Sequence, residues 1–173
     1  MSFFEQMKEL KECEMLIAFT DLTGFVQLTS NLSDEHLFYF MREYFSLHED
    51  IVEKGGGKVL KIMGDSSMLI FPGEGARQAM TALWVLRMET AKWMKNRGYS
   101  SRLDVKAHLT KAVVGPFGRS GRLDVYGEGV NKTAMLPQSS FSASAEAFAF
   151  LQEDLRVHFV SHNLPVPFYR MED

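Results

Sequence analysis

A chain of 173 residues with 46% apolar and 24% charged side chains can bury one sizeable core. A formal charge of −3 without a basic stripe lacks the electrostatic footprint of a nucleic-acid binder. One cysteine excludes an internal disulfide, and no H-E-x-x-H motif supports a zincin-like metal site. No apolar run approaches the roughly 18 residues of a membrane span. The N-terminus lacks the basic-then-apolar order of a signal peptide. The expected setting is therefore reducing and cytoplasmic, which a piece of a larger membrane protein would match equally, and the expected organisation is a single domain over residues 1–173.

In chain order, residues 3–12 read as a short amphipathic helix or a connector within a leading segment 1–13, and 14–20 as a strand. Ser33 is an N-cap candidate ahead of Asp34 and Glu35. Behind it Leu37, Phe40, Met41, Tyr44, Phe45, His48, Ile51 and Val52 share one helical face, up to the glycines 55–57. "KVLKIMGDSSMLIFPG" predicts two short strands meeting at a Gly64-Asp65 turn. A second helix follows from about Gly75 to Arg97, then strands in "RLDVKAHLTKAVVGPFG" and "GRLDVYGEG", and a brief helix over 131–136 ended by Pro137. The tail predicts a strand at 141–144, a helix at 145–151, and strands near 156–161 and 165–171. The expected fold class is α+β, a ferredoxin-like βαββαβ core with a C-terminal β/α/β extension, its helices on one face of an antiparallel sheet.

Such a core sets the first strand beside the hairpin, so Asp21 at a strand end and Asp65 in the turn become neighbours. Two close carboxylates repel unless a cation sits between them, and oxygen ligands of this kind suit Mg²⁺ or Mn²⁺. Gly24 lets a phosphate approach backbone amides. Each aspartate equally fits the ordinary job of a turn residue beside glycine. On the residues alone both readings stand.

Three stretches resemble the signatures of the class III nucleotide cyclases, the adenylyl and guanylyl cyclases. "IAFTDLTGF" is similar to F-x-D-apolar-x-G-F, "GGKVLKIMGDSSMLIF" to a K-x-x-G-D hairpin, and "RLDVYGEGVNKTAML" to D-x-x-G-x-x-V-N followed by a short helix. They occur in the family's order, over roughly residues 14–137. The resemblance implies two Mg²⁺ or Mn²⁺ ions held by Asp21, Asp65 and the carbonyl of Leu22. It implies phosphate contacts from Thr23, Gly24 and Phe25, and a ribose contact from Asn131. Lys61 and Asp124 stand where adenylyl cyclases carry their adenine-reading lysine and aspartate, which implies ATP rather than GTP. It also implies a homodimer with composite sites at the interface. Asn131 also fits an N-cap of the short helix.

The pattern breaks at Met135, where the family places an arginine that stabilises charge on the α-phosphate. The family's C-terminal phosphate-binding lysine is missing as well, since no lysine follows Lys132. Lys132, three residues before Met135, Arg156 and Arg170 are the candidate substitutes, and Lys132 is equally a solvated surface lysine. His108, Thr110 and Lys111 stand where the family commonly has small residues. Two readings follow. One is an adenylate cyclase forming 3′,5′-cyclic AMP and pyrophosphate, slow or partner-dependent, with Asp21, Asp65, Asn131 and Lys132 as its catalytic residues. The other is a degenerate cyclase homology domain that binds nucleotide or dimerises. A third, a sheet that stacks RNA bases, lacks the paired aromatics on its central strands.

Overall fold

The computed structural model describes residues 3–162 and 167–171. A 3-10 turn at Phe4–Gln6 stands where a short helix or a connector was expected. Strand β1 (Lys11–Leu22) begins three residues before the expected start at residue 14, because Lys11 to Glu14 pair with Val114 to Lys111 of a later strand. Helix α1 (Phe25–Thr29) is too short to show a period in sequence. Helix α2 (Asp34–Lys54) starts where predicted, with the Ser33 hydroxyl accepting the His36 amide at 3.3 Å. Its buried face is Phe40, Tyr44, Phe45, His48 and Val52. The helix gives way to Gly56 in the left-handed region (φ 78°) and to Gly57, where any Cβ would strike the Phe71 ring.

Strands β2 (Lys58–Met63) and β3 (Ser66–Pro72) form the expected hairpin, followed by α3 (Ala76–Asn96) and β4 (Leu103–Phe117). Next come β5 (Arg122–Tyr126), α4 (Glu128–Met135), β6 (Phe141–Ser144), α5 (Ala145–Phe148), α6 (Glu153–Arg156), β7 (Phe159–His162) and β8 (Phe168–Met171). Helix α4 begins three residues before Asn131, capped at Gly127, so Asn131 is no N-cap. In the tail α6 was not foreseen, and residues 165–166 of the last expected strand lie outside the described residues.

The sheet runs β2-β3-β1-β4-β6-β8-β7, with β5 paired to β4. Its first four strands have the ferredoxin-like order. The pairing of β4 with β6 is parallel, which corrects the antiparallel expectation to a mixed sheet. The main core lies between one face and helices α2 and α3, where Leu16, Leu69 and Phe71 meet Tyr44, Met80 and Leu83. Burying each such side chain contributes about 1.5–3 kcal/mol. A second core covers the opposite face: Val125, with Leu123 packed beside it, lies with Met15, Ile17, Met68 and Ile70. That second core is what folds β5 back over the sheet.

Candidate active site

Side chains alternate along β1, so Asp21 follows Ile17 and Phe19 onto the face away from α2 and α3. Its Oδ1 accepts the Ser66 hydroxyl at 2.5 Å and its Oδ2 the Gln138 amide at 3.1 Å. Asp65 turns towards the same strand end, its Oδ2 accepting the Leu22 amide at 3.3 Å. The Tyr44 hydroxyl donates to the Asp65 backbone carbonyl at 3.4 Å, tying the turn to α2. Gly64 at φ 67° makes that turn. The two sequence-predicted carboxylates therefore sit at one end of the sheet.

Burial pushes the Asp65 carboxyl above its usual range and the negative charge of Asp21 adds to this, against hydrogen bonds from its own amide and that of Leu22. Burial raises the Tyr44 phenol, with both carboxylates contributing. Every donor to Asp21 and Asp65 named above is neutral, so the like-charge repulsion between them is not cancelled by these contacts. A divalent cation would relieve it, and the residues fit one. Among the described residues no cluster of three or more His, Cys, Asp or Glu could hold a metal as a closed protein cage. Two carboxylates and a backbone carbonyl suit Mg²⁺ or Mn²⁺, which keeps waters and phosphate oxygens as its other ligands.

Lys61 and Asp124 also meet: Nζ lies 2.7 Å from Oδ1. The second core causes this, because Val125 and Leu123 seat β5 so that Asp124 reaches the β2 lysine across three intervening strands. Asp124 is fixed further by the Val125 amide at 2.8 Å, and Lys61 lies 5.6 Å from the centre of the Tyr126 ring.

The other predicted positions divide. Gly24 is left-handed (φ 69°) and opens α1, while Phe25 packs on the main core. The amide of Thr23 is spent on the Arg102 carbonyl at 2.9 Å, and its hydroxyl exchanges bonds with the same residue, so Thr23 offers no amide to a phosphate. Asn131, Lys132 and Met135 are exposed on α4, and Lys132 pairs with Glu128 one turn back at 3.0 Å. Arg156 is folded onto the carbonyls of Leu151 and Ala149 at 3.0 and 2.6 Å. Arg170 lines a cavity of about 440 Å³ beside Asp104 and Gln138. Thr110 presses on α4 at Gly129, where no Cβ would fit. His108 bonds through Nδ1 to Ser144 at 2.8 Å.

Ser66, Gln138 and Lys106 escaped the sequence reading. Ser66 follows Asp65 directly, which was a usable signal; Gln138 and Lys106 carried none.

Solved structures share this fold. The adenylyl cyclase CyaB from P. aeruginosa superposes with a TM-score of 0.77, at 20% identity, over 95% of this chain and 96% of that one. The chain has the fold of a class III nucleotidyl cyclase catalytic domain. A bacterial light-regulated adenylyl cyclase matches at 0.79 and 21% identity, over 95% of this chain and 53% of its own. The dimeric guanylyl cyclase domain of the RhoGC fusion protein from Blastocladiella emersonii matches at 0.77 and 16%, over 94% and 96%. In sequence, an adenylate cyclase of Anabaena cylindrica is 23% identical over 127 residues, 68% of this chain. The chain spans a quarter of that relative's length. No family model matches. No helix among the described residues is long and apolar enough to cross a membrane.

Proposed function

We propose that the chain is a metal-dependent nucleotide cyclase that converts ATP to 3′,5′-cyclic AMP and pyrophosphate, working as a homodimer. The convergence of Asp21 and Asp65 at one strand end carries the reading. Asp21, Asp65 and the Leu22 carbonyl would hold the two ions, which when bound supply Lewis-acid charge to the triphosphate and acidify the ribose 3′-OH. The chain's own groups do the rest. Lys61 donates to an adenine ring nitrogen and Asp124 accepts from the exocyclic amine, a complement that guanine does not offer. Gly24 lets the phosphates approach the start of α1. Asn131, exposed on α4, orients the ribose across the interface from the partner copy.

The second reading, a degenerate domain that binds nucleotide without turnover, is favoured by one observation. Met135, 71% exposed, brings no charge to the position of the family's arginine. Turnover of ATP and GTP with Mn²⁺ and then Mg²⁺, with Asp21→Ala alongside, separates the two. Cyclic AMP from the wild type that disappears in Asp21→Ala supports the cyclase. No product from a confirmed dimer refutes it and leaves nucleotide binding to test the second reading.

A further inference from the structure

If the chain is a cyclase, it needs a cation at the α-phosphate that Met135 does not supply. Lys132 is turned onto Glu128 on the exposed side of α4, and Arg156 is consumed by two backbone carbonyls. Arg170 lines a cavity that touches Asp104 and Gln138 but not Asp21. Lys106 differs. It lines the same cavity as Asp21, about 280 Å³, together with Ser66, Ala134 and Gln138. The strand register explains why. Lys106 stands opposite Phe19 while Asp104 stands opposite Asp21. Lys106 and Asp21 are thus diagonal neighbours on one face, about 7–8 Å apart at their Cα atoms. The Lys106 ammonium donates to the Ala134 carbonyl at 3.0 Å, immediately before Met135. That contact holds it at the C-terminal end of α4, where a cation is favoured, and a lysine keeps two further N–H donors for another acceptor.

We propose that Lys106 is the catalytic cation of this site, contacting a non-bridging oxygen of the α-phosphate; the assignment rests on the cyclase reading above. In the step it serves, the ribose 3′ oxygen bonds to the α-phosphorus as its proton passes to solvent. The bond from that phosphorus to the pyrophosphate oxygen breaks, and the electron pair leaves with pyrophosphate. Negative charge builds on the equatorial oxygens, and an ammonium already anchored in the cavity stabilises it without rearranging.

The test is steady-state turnover of ATP with Mn²⁺ by wild type, Lys106→Met and Lys106→Arg, with Mn²⁺–ATP binding and melting temperature measured on each. The expected result is a kcat lower by on the order of 100-fold in Lys106→Met, with KM within a few fold. Lys106→Arg recovers at least a tenth of wild-type kcat, and melting temperatures stay together. Turnover of Lys106→Met within threefold of wild type, or a loss that Lys106→Arg fails to recover, overturns the assignment. Should the wild type form no cyclic nucleotide, the cyclase reading fails separately and binding decides. Affinity at least tenfold weaker in Lys106→Met keeps Lys106 as a phosphate contact. Equal affinity, or no binding by the wild type, overturns it.

Discussion

His48 offers the most quantitative test of the packing. It lies fully buried on α2 among Tyr44 and Phe45, its ring 4.3 Å from that of Tyr44, and neither nitrogen has a hydrogen-bond partner. Burial pushes its pKa down to about 3 from 6.5. The folded state therefore stays unprotonated where the unfolded chain takes up a proton. Stability from this residue is complete above pH 6.5 and is lost as the pH falls towards 3. Each pH unit below the unfolded pKa costs about 1.4 kcal/mol, so moving from pH 7.5 to pH 5 removes about 2 kcal/mol. Other groups titrate over the same range, so the comparison is with His48→Phe, which keeps a ring and has no proton to take up. Urea denaturation of both proteins at pH 7.5, 6 and 5 reads the difference. The wild type should lose about 2 kcal/mol relative to the variant across the series. A constant difference would refute the buried, neutral imidazole.

Three further outcomes follow from the contacts. Gly129→Ala drives a methyl into Thr110 and should destabilise by about 1–3 kcal/mol; Thr110→Ala in the same chain should recover only part of it in a double-mutant denaturation cycle, because the Thr110 Cβ itself would lie 2.6 Å from the new methyl. Lys61→Met removes the partner of a largely buried Asp124 and, on the proposed cyclase function, should cut a preference for ATP over GTP by about tenfold in kcat/KM, a change of about 1.4 kcal/mol. Unchanged selectivity would detach the pair from base reading. Ser33→Ala should cost about 1 kcal/mol of stability, read by thermal or urea unfolding, with no change in nucleotide affinity.

The sequence was most legible where local chemistry and long-range packing agree. Ser33, the acids behind it and the apolar period of α2 all point to one helix, and that helix forms. Asp21 and Asp65 were legible because each breaks an apolar run at a turn. The start of β1 was hidden, because Lys11 to Glu14 carry no apolar pattern and are strand only through a partner about a hundred residues on. Thr23 misled for the same reason: its amide answers to Arg102, far away in sequence. Lys106 was invisible as one lysine in an alternating strand, and only the register placed it beside Asp21. The encounter of Lys61 with Asp124 rests on the second core, which no local periodicity announces.

The register of β1 against β4 has a consequence for how the chain is made. Lys11 pairs with Val114 and Leu22 with Leu103, so β1, an interior strand of the sheet, gains that neighbour only after more than a hundred residues have been synthesised. Until then the apolar stretch from Met15 to Phe19 has an open edge, with β3 its other sheet partner among the described residues. Loop closures this long slow folding, because their entropy is lost before the pairing rewards it. Chaperone protection during translation should therefore matter most before residue 114 has left the ribosome, and early truncations should aggregate rather than dock.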